Sequence, residues 1–310
     1  MGAVKAWLAH PDGIDLIGGV PAGVAVEVVT DPADPPSDPA GVTFWTPPYL
    51  VSSPAWTAFA ASLPDLRVIQ LLTAGADAWL GRVPAGVTLC DGRGIHDAAT
   101  ADWAVAATLA KLRRFDDFAR AQARADWSYR AYAPTDELTG KRVLVVGAGA
   151  IGTGIGARLA PFGVPVTYAA RTARPGVHGV GELPDLLPRH DVVILIVPLT
   201  AATRGLVDAG FLAAMPDGAL LVNAARGPVV DTAALTKELA TGRLRAALDV
   251  TDPEPLPADH PLWAMPNVLL TPHVAGAVRG MPARAYALAG EQLRRHAAGE
   301  ALANVVHDDY

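Results

Sequence analysis

The sequence predicts an α/β protein of two doubly wound, parallel-sheet domains, one inserted into the other, on three observations. An apolar run, Arg142-Val-Leu-Val-Val146, meets a glycine turn, Gly147-Ala-Gly149-Ala-Ile-Gly152, ahead of a small-residue helical stretch from Ile155 to Phe162. Short apolar strands alternate with helical stretches along much of the rest of the chain. About 140 residues precede the glycine turn, whereas fewer than 40 follow the last apolar strand, too few for an independent domain. The C-terminal tail must therefore pack on the first part of the chain. That assigns residues 1–97 plus 276–310 to one domain and residues 98–275 to the inserted one.

In the first part, β-rich apolar runs predict strands at Val4-Leu8, Val24-Val28, Val42-Trp45, Val68-Leu71 and Val87-Cys90. They are separated by Pro/Gly-rich breaks such as Asp31-Pro-Ala-Asp-Pro-Pro-Ser37, with a helical stretch at Ala55-Ala61. The alanine-rich segment Ala98 to Gln122, capped by Asp97, predicts one long helix carrying the chain from one domain into the other. Trp103 and Leu109 on that helix read as core positions. Beyond the turn, strands are expected at Val164-Tyr168, Val192-Val197, Ala219-Asn223, Ala246-Val250 and Val268-Thr271.

The glycine turn has the strand, turn, helix context that a dinucleotide requires. Gly147 permits the tight turn, Gly149 lets the backbone approach a pyrophosphate, and Gly152 lets the helix pack on the strand. The anion then sits at a helix N-terminus, and no side chain need touch it. At the end of the next strand, a site selective for NAD usually carries an acid for the ribose hydroxyls. Here the chain reads Ala169-Ala170-Arg171-Thr172-Ala173-Arg174, with no acid and two guanidinium groups that suit a 2′-phosphate. NADP(H) is favoured, and NAD(H) stays open as the lesser reading, in which the two loop arginines are simply solvated.

Composition agrees with a globular enzyme. The 310 residues are 51% hydrophobic and 18% charged, and the net charge of -6 argues against a phosphate-backbone binder such as a nucleic-acid protein. One cysteine, Cys90, excludes an intramolecular disulfide framework and any multi-cysteine metal site, and reads as core. No apolar run has the length of a membrane span, and the N-terminus lacks a basic patch followed by a long apolar run and cleavage site. A cytoplasmic location is the expectation.

Three phrases then become specific: Val222-Asn-Ala-Ala-Arg226-Gly-Pro-Val-Val-Asp231, Leu248-Asp-Val-Thr-Asp-Pro-Glu254-Pro-Leu-Pro257, and Asn267-Val-Leu-Leu-Thr-Pro-His273-Val-Ala-Gly276. With Val197-Pro-Leu-Thr200, Thr203 and Leu72-Thr-Ala-Gly75-Ala-Asp77, they resemble the D-isomer-specific 2-hydroxyacid dehydrogenase family from about residue 65 to the C-terminus. The resemblance implies a Rossmann dinucleotide-binding domain inserted into a flavodoxin-like substrate domain, and a homodimer. It implies that Arg226 binds the substrate carboxylate, that His273 is the catalytic histidine, and that Glu254 is the acid paired with it. Backbone N–H groups around Ala74 and Gly75 correspond to a second carboxylate cradle. Cofactor contacts are implied at Gly147, Gly149, Ala150, Ile151, Gly152, Arg171, Thr172, Arg174, Pro198, Thr203, Ala224, Arg226, Asp249, His273, Gly276 and Thr100. His96, beside Arg93, has two readings: a shaper of substrate choice or a loop cap.

The chemistry asks for these residue types by itself. A 2-oxo acid presents a carboxylate next to a carbonyl, and a planar guanidinium binds the one while polarising the other. As hydride reaches the carbonyl carbon, the oxygen needs a proton, which an imidazole supplies near neutral pH. A carboxylate on the ring's far nitrogen orients it. The chain carries Glu254 where related formate dehydrogenases have Gln, and Ala74 where phosphite dehydrogenases have Lys, so both specialised activities are disfavoured. Asp102 stands where Glu is common, and Trp127 and Trp263 match positions where tryptophan is frequent. A corepressor of the C-terminal-binding-protein type, using the dinucleotide as a ligand, is the alternative from another class, separated from the enzyme by turnover.

Overall fold

The structure, a computed structural model, describes residues 4–49 and 54–307. The extreme ends of the expected substrate domain lie outside the described residues. In chain order the first elements are β1 (Val4–Leu8), α1 (Asp12–Leu16), β2 (Val24–Val28), β3 (Val42–Trp45), α2 (Pro54–Ala61), β4 (Val68–Gln70) and β5 (Thr88–Cys90). Then follow α3 (Asp97–Leu112), α4 (Phe115–Gln122), α5 (Tyr129–Tyr132), β6 (Val143–Val146), α6 (Ala150–Leu159), β7 (Val166–Ala170), β8 (His178–Gly179), α7 (Leu183–Leu186) and β9 (Val192–Leu195). The chain ends with α8 (Ala209–Ala214), β10 (Leu220–Asn223), α9 (Thr232–Ala240), β11 (Arg245–Leu248), β12 (Val268–Leu270) and α10 (Met281–Ala298).

Two compact units result. One comprises the residues up to His96 together with those from Val278 onward, and the other runs from Asp97 to Ala277. The first unit holds a parallel sheet of order β2-β1-β3-β4-β5. One face carries an aromatic cluster in which Trp45 meets Trp56, Phe59 and Trp79 at centroid distances of 5.5–5.8 Å. On the other, Phe44, Val68 and Cys90 pack with Ala289 and Leu293 of α10. The C-terminal residues continue past α10 to cover the β5 edge, where Asp91 N–H donates to the Asn304 carbonyl at 3.0 Å and Val306 N–H to that of Leu89 at 2.9 Å. Cys90 is a buried free thiol, and loss of hydration pushes it up to about 11.

The β2 to β3 connection departs from strand–helix alternation. Residues 29–41 form no helix. Proline prevents one, and Glu27 fastens the loop instead: it accepts hydrogen bonds from the Trp7 indole at 2.8 Å and the Ser37 hydroxyl at 2.5 Å. Those two donors hold its carboxyl below the usual range.

The second unit is built on a parallel sheet of order β12-β11-β10-β9-β6-β7-β8. The direction of winding reverses between β6 and β9, whose residues Val143–Val146 pair with Val192–Leu195. That switch point is where an open α/β sheet takes its ligand. Central strands β6, β9 and β10 are buried throughout, as strands covered on both faces must be. Asp208 and Asp231 cap α8 and α9 through bonds to the Phe211 and Ala234 amides.

Three sequence expectations need correction here. Helix α6 starts at Ala150, not Ile155, because the glycines that lower its intrinsic propensity are demanded by packing. A methyl at Gly152 would overlap the Gly147 carbonyl, and one at Gly156 the Tyr168 hydroxyl. Strand β7 lies two residues later than expected, so Arg171 immediately follows it. The single helix expected over 98–122 is two helices, broken at Arg114, whose φ is 56°. Alanine-rich periodicity hides the corner, which is held by ion pairs: buried Lys111 Nζ meets Asp116 at 2.8 Å, and the buried Asp117 carboxylate takes the partly exposed Arg114 and Arg120 at 2.8 and 2.7 Å. Trp103 and Leu109 pack against the core beneath α3.

Candidate active site

Every candidate residue of the second unit except Thr100 lies just past the carboxyl end of a strand. Gly147 to Gly152 follow β6, Arg171 to Arg174 follow β7, and Pro198 to Thr203 follow β9. Ala224 and Arg226 follow β10, Asp249 and Glu254 follow β11, and His273 and Gly276 follow β12. Because β10, β11 and β12 are sheet neighbours spaced by about 4.8 Å, their three loops emerge side by side. Thr100 is buried in the first turns of α3.

The structure brings His273 and Glu254 together. The imidazole Nδ1 lies 2.6 Å from Glu254 Oε1, both side chains being partly exposed. A carboxylate only accepts, so Nδ1 carries the hydrogen and Nε2 is left to exchange a proton. His273 has φ 54°, a left-handed conformation uncommon outside glycine and one that needs support from its surroundings.

Asp249 provides that support. Its buried carboxylate accepts from the Thr271 hydroxyl at 2.6 Å, the Val274 amide at 2.9 Å and the Ala275 amide at 2.9 Å. Its carbonyl accepts from the His273 amide at 2.7 Å, and its own amide donates to Asn223 at 3.0 Å. One residue therefore ties β10, β11 and the loop after β12. Asp249 was expected among the cofactor contacts, and three donors from the His273 loop occupy its carboxylate here.

Arg226 is presented by a turn that Asn223 builds. The Asn223 amide donates to the Arg226 carbonyl at 3.2 Å, and its oxygen accepts from the Ala225 N–H at 3.0 Å. The half-buried guanidinium donates through Nη1 to the Ala225 carbonyl at 2.8 Å. Sequence reasoning singled out neither Asn223 nor Thr271. The signal for the first was an Asn ending an otherwise apolar strand, a polar group that burial obliges to find partners.

The glycine turn fits a dinucleotide on geometry. Gly147 has φ 120° and a methyl there would overlap the Ile196 carbonyl, while a methyl at Gly149 would meet nothing within 4 Å, leaving the open space that an approaching pyrophosphate needs. No side chain caps the N-terminus of α6, so its first amides remain for an anion. Arg174 donates through Nη2 to the Ala148 carbonyl at 2.8 Å, which lays its guanidinium against this turn. Thr203 closes the loop after β9 by donating to the Pro198 carbonyl at 2.6 Å.

The remaining candidates belong to the first unit. After β4, Thr73 donates to the Gly75 carbonyl at 3.0 Å and its own carbonyl accepts from Gly92, shaping the turn that contains Ala74. His96 is buried with its ring 5.9 Å from that of Tyr49. Asp102 pairs with Arg158 of α6, so the shorter acid serves the α3–α6 contact. Among the described residues no group of His, Cys, Asp and Glu could hold a metal ion.

Comparison with known proteins bears on this arrangement. The family model for the NAD binding domain of D-isomer specific 2-hydroxyacid dehydrogenases matches residues 105–275. A glyoxylate/hydroxypyruvate reductase A from Enterobacter sp. is 34% identical over 236 residues, 72% of this chain and 75% of the relative. Among solved structures, a D-isomer specific 2-hydroxyacid dehydrogenase from Xanthobacter autotrophicus Py2, in complex with NADPH and MES, superposes with a TM-score of 0.83. It is 32% identical and covers 99% of this chain and 98% of its own. An NADPH-dependent glyoxylate/hydroxypyruvate reductase from Sinorhizobium meliloti, in complex with NADP and sulfate, gives 0.82 at 27% identity, covering 99% and 98%.

Replacing Asp249 by Ala leaves two amides and a hydroxyl of the His273 loop without their acceptor. The expected loss is about 2–3 kcal/mol of stability, read as a lower denaturant midpoint at constant m-value. An unchanged midpoint means that this carboxylate does not hold the loop.

Proposed function

The chain belongs to the D-isomer-specific 2-hydroxyacid dehydrogenase family, and on that premise we propose that it reduces a small 2-oxo acid, such as glyoxylate or hydroxypyruvate, to the D-2-hydroxy acid with NADPH. The observation that carries this reading is the 2.6 Å contact between His273 Nδ1 and Glu254, made on the same sheet edge that presents Arg226. When bound, the nicotinamide cofactor supplies the hydride. Arg226 holds the substrate carboxylate through its guanidinium fork and polarises the adjacent carbonyl. His273 Nε2 delivers a proton to the carbonyl oxygen as charge develops there, while Glu254 keeps the ring in the tautomer and orientation for that transfer. In oxidation the same nitrogen takes the hydroxyl proton.

Gly147 to Gly152 would hold the pyrophosphate against the α6 amides, and Arg171 and Arg174 the 2′-phosphate. Support for NADPH over NADH comes from the absence of an acid after β7 and from the Arg174 contact to Ala148. In the same reading, Ala74, Gly75 and His96 select the substrate. The glyoxylate-reductase assignment is supported by the names of the relatives, one of which was solved with NADP. A cytoplasmic location belongs to the same proposal. No helix among the described residues is long and apolar enough to cross a membrane.

A homodimer is proposed on a patch of exposed aromatics. Trp127 is 95% exposed, Tyr129 70% and Phe115 57%, on an arm with a groove of about 540 Å³ lined by Phe118, Trp127 and Tyr129. Exposed apolar patches mark contact surfaces, and a second copy of the chain offers the same patch for a closed two-fold contact, which supports the dimer.

Turnover of glyoxylate, hydroxypyruvate and larger 2-oxo acids with NADPH and with NADH, followed at the nicotinamide absorbance, tests the reaction. His273→Ala should lower kcat by about 10²–10⁴-fold with NADPH affinity retained. No turnover across the panel, or a variant as active as the parent, overturns the assignment. Arg171→Ala with Arg174→Ala should weaken NADPH by about tenfold or more relative to NADH, and equal weakening of both removes the case for phosphate recognition. Trp127→Glu should shift the particle mass measured by light scattering from dimer to monomer. An unshifted dimer places the interface elsewhere.

A further inference from the structure

The turn that carries Arg226 and the loop that carries Glu254 meet backbone to backbone. Gly227 is buried directly after Arg226. A methyl built on it would overlap the Thr251 carbonyl and stand 2.8 Å from the Asp252 nitrogen. Its φ is outside the left-handed region, so close approach, not backbone freedom, is what demands glycine at this position.

Neither side of the contact has slack. On the turn, Asn223 grips the Arg226 carbonyl and the Ala225 amide, and the Gly227 carbonyl accepts from Val230 N–H at 3.0 Å. On the loop, the Thr251 hydroxyl donates to the Pro253 carbonyl at 2.9 Å, closing the segment immediately before Glu254. The loop is also tied at Asp249 to β10 and to His273. A push on the Thr251–Asp252 peptide is therefore passed along a short, hydrogen-bonded segment to the Glu254 carboxylate.

We infer that Gly227 is a positioning residue for the reaction: by letting the Arg226 turn rest on the Thr251–Asp252 peptide, it sets the Glu254 carboxylate within hydrogen-bond reach of His273. The inference rests on the reduction proposed above and adds to it a link between the carboxylate clamp and the proton donor. Catalytic groups tolerate misplacement of only about 0.5 Å, and an error of about 1 Å costs on the order of 100-fold in rate. The overlap that a methyl creates here is met by backbone, which cannot swing aside as a long side chain does.

The test is a double-mutant cycle with glyoxylate and NADPH. Gly227→Ala should lower kcat about 100-fold with a cooperative melt and an NADPH Kd within about twofold of the parent. The double variant Gly227→Ala, Glu254→Gln should be no slower than Glu254→Gln alone, because both act on the same contact. Additive losses, or an unchanged kcat in Gly227→Ala, overturn the inference. Asn223→Ser loosens the same turn without adding volume and serves if the alanine variant fails to fold. Its loss of about tenfold should vanish in the Glu254→Gln background, and additivity there overturns the inference equally. A readout independent of turnover is the downfield imidazole Nδ1–H proton resonance of His273, assigned by its disappearance in His273→Asn. It should be present in the parent and lost in the Gly227 or Asn223 variant. Its persistence there sinks the positioning role, whereas a parent with the resonance but no turnover sinks only the reduction.

Discussion

The arrangement of the site depends on the buried carboxylate of Asp249. A buried anion is tolerated only when donors surround it, and this one takes a hydroxyl and two amides from the loop after β12. Those bonds hold His273 in a left-handed backbone conformation, which costs any residue that carries a Cβ. The side chain that would donate the proton is thereby aimed by its neighbour's charge, and the Glu254 contact follows from where the ring is aimed. Burial, strain and chemistry are one constraint at this point.

A second constraint is close approach. Parallel strands end together at one edge of the sheet, so loops that leave β10, β11 and β12 compete for the same few ångströms. Glycine resolves that competition at Gly227 against the Thr251 peptide, and Gly152 against the Gly147 carbonyl answers a like demand after β6. The sequence marks Gly152 through the glycine turn it closes, whereas Gly227 reads as an ordinary turn glycine. In space, Gly152 admits a helix beside the glycine turn and Gly227 admits the Arg226 turn beside the loop that carries Glu254.

Much of the fold was legible because parallel strands buried on both faces leave long apolar signatures. Strands β1, β2 and β3 fall where the apolar runs predict, while β7 lies two residues later because Val164 packs in the core without joining the ladder. The helix expected over 98–122 is broken for a different reason. Alanine is helical in either arrangement, and the corner at Arg114 is decided by Lys111, Asp116, Asp117 and Arg120, charges that a one-dimensional reading sends to solvent. Of the site, the Arg226, Glu254 and His273 phrases stood out, but Asn223 and Thr271 did not, since their work is to bond backbone and neighbouring carboxylate.

The amino-acid order by itself determined the class of fold, the glycine turn and the chemical types gathered for a reduction, because periodicity and residue chemistry are local properties of the chain. Only the tertiary structure decided which groups meet. Glu254 and His273 are nineteen positions apart and become a 2.6 Å pair because β11 and β12 are sheet neighbours and Asp249 holds the second loop against the first. Strand adjacency and the satisfaction of a buried charge are properties of packing, and they convert a set of residue types into a geometry.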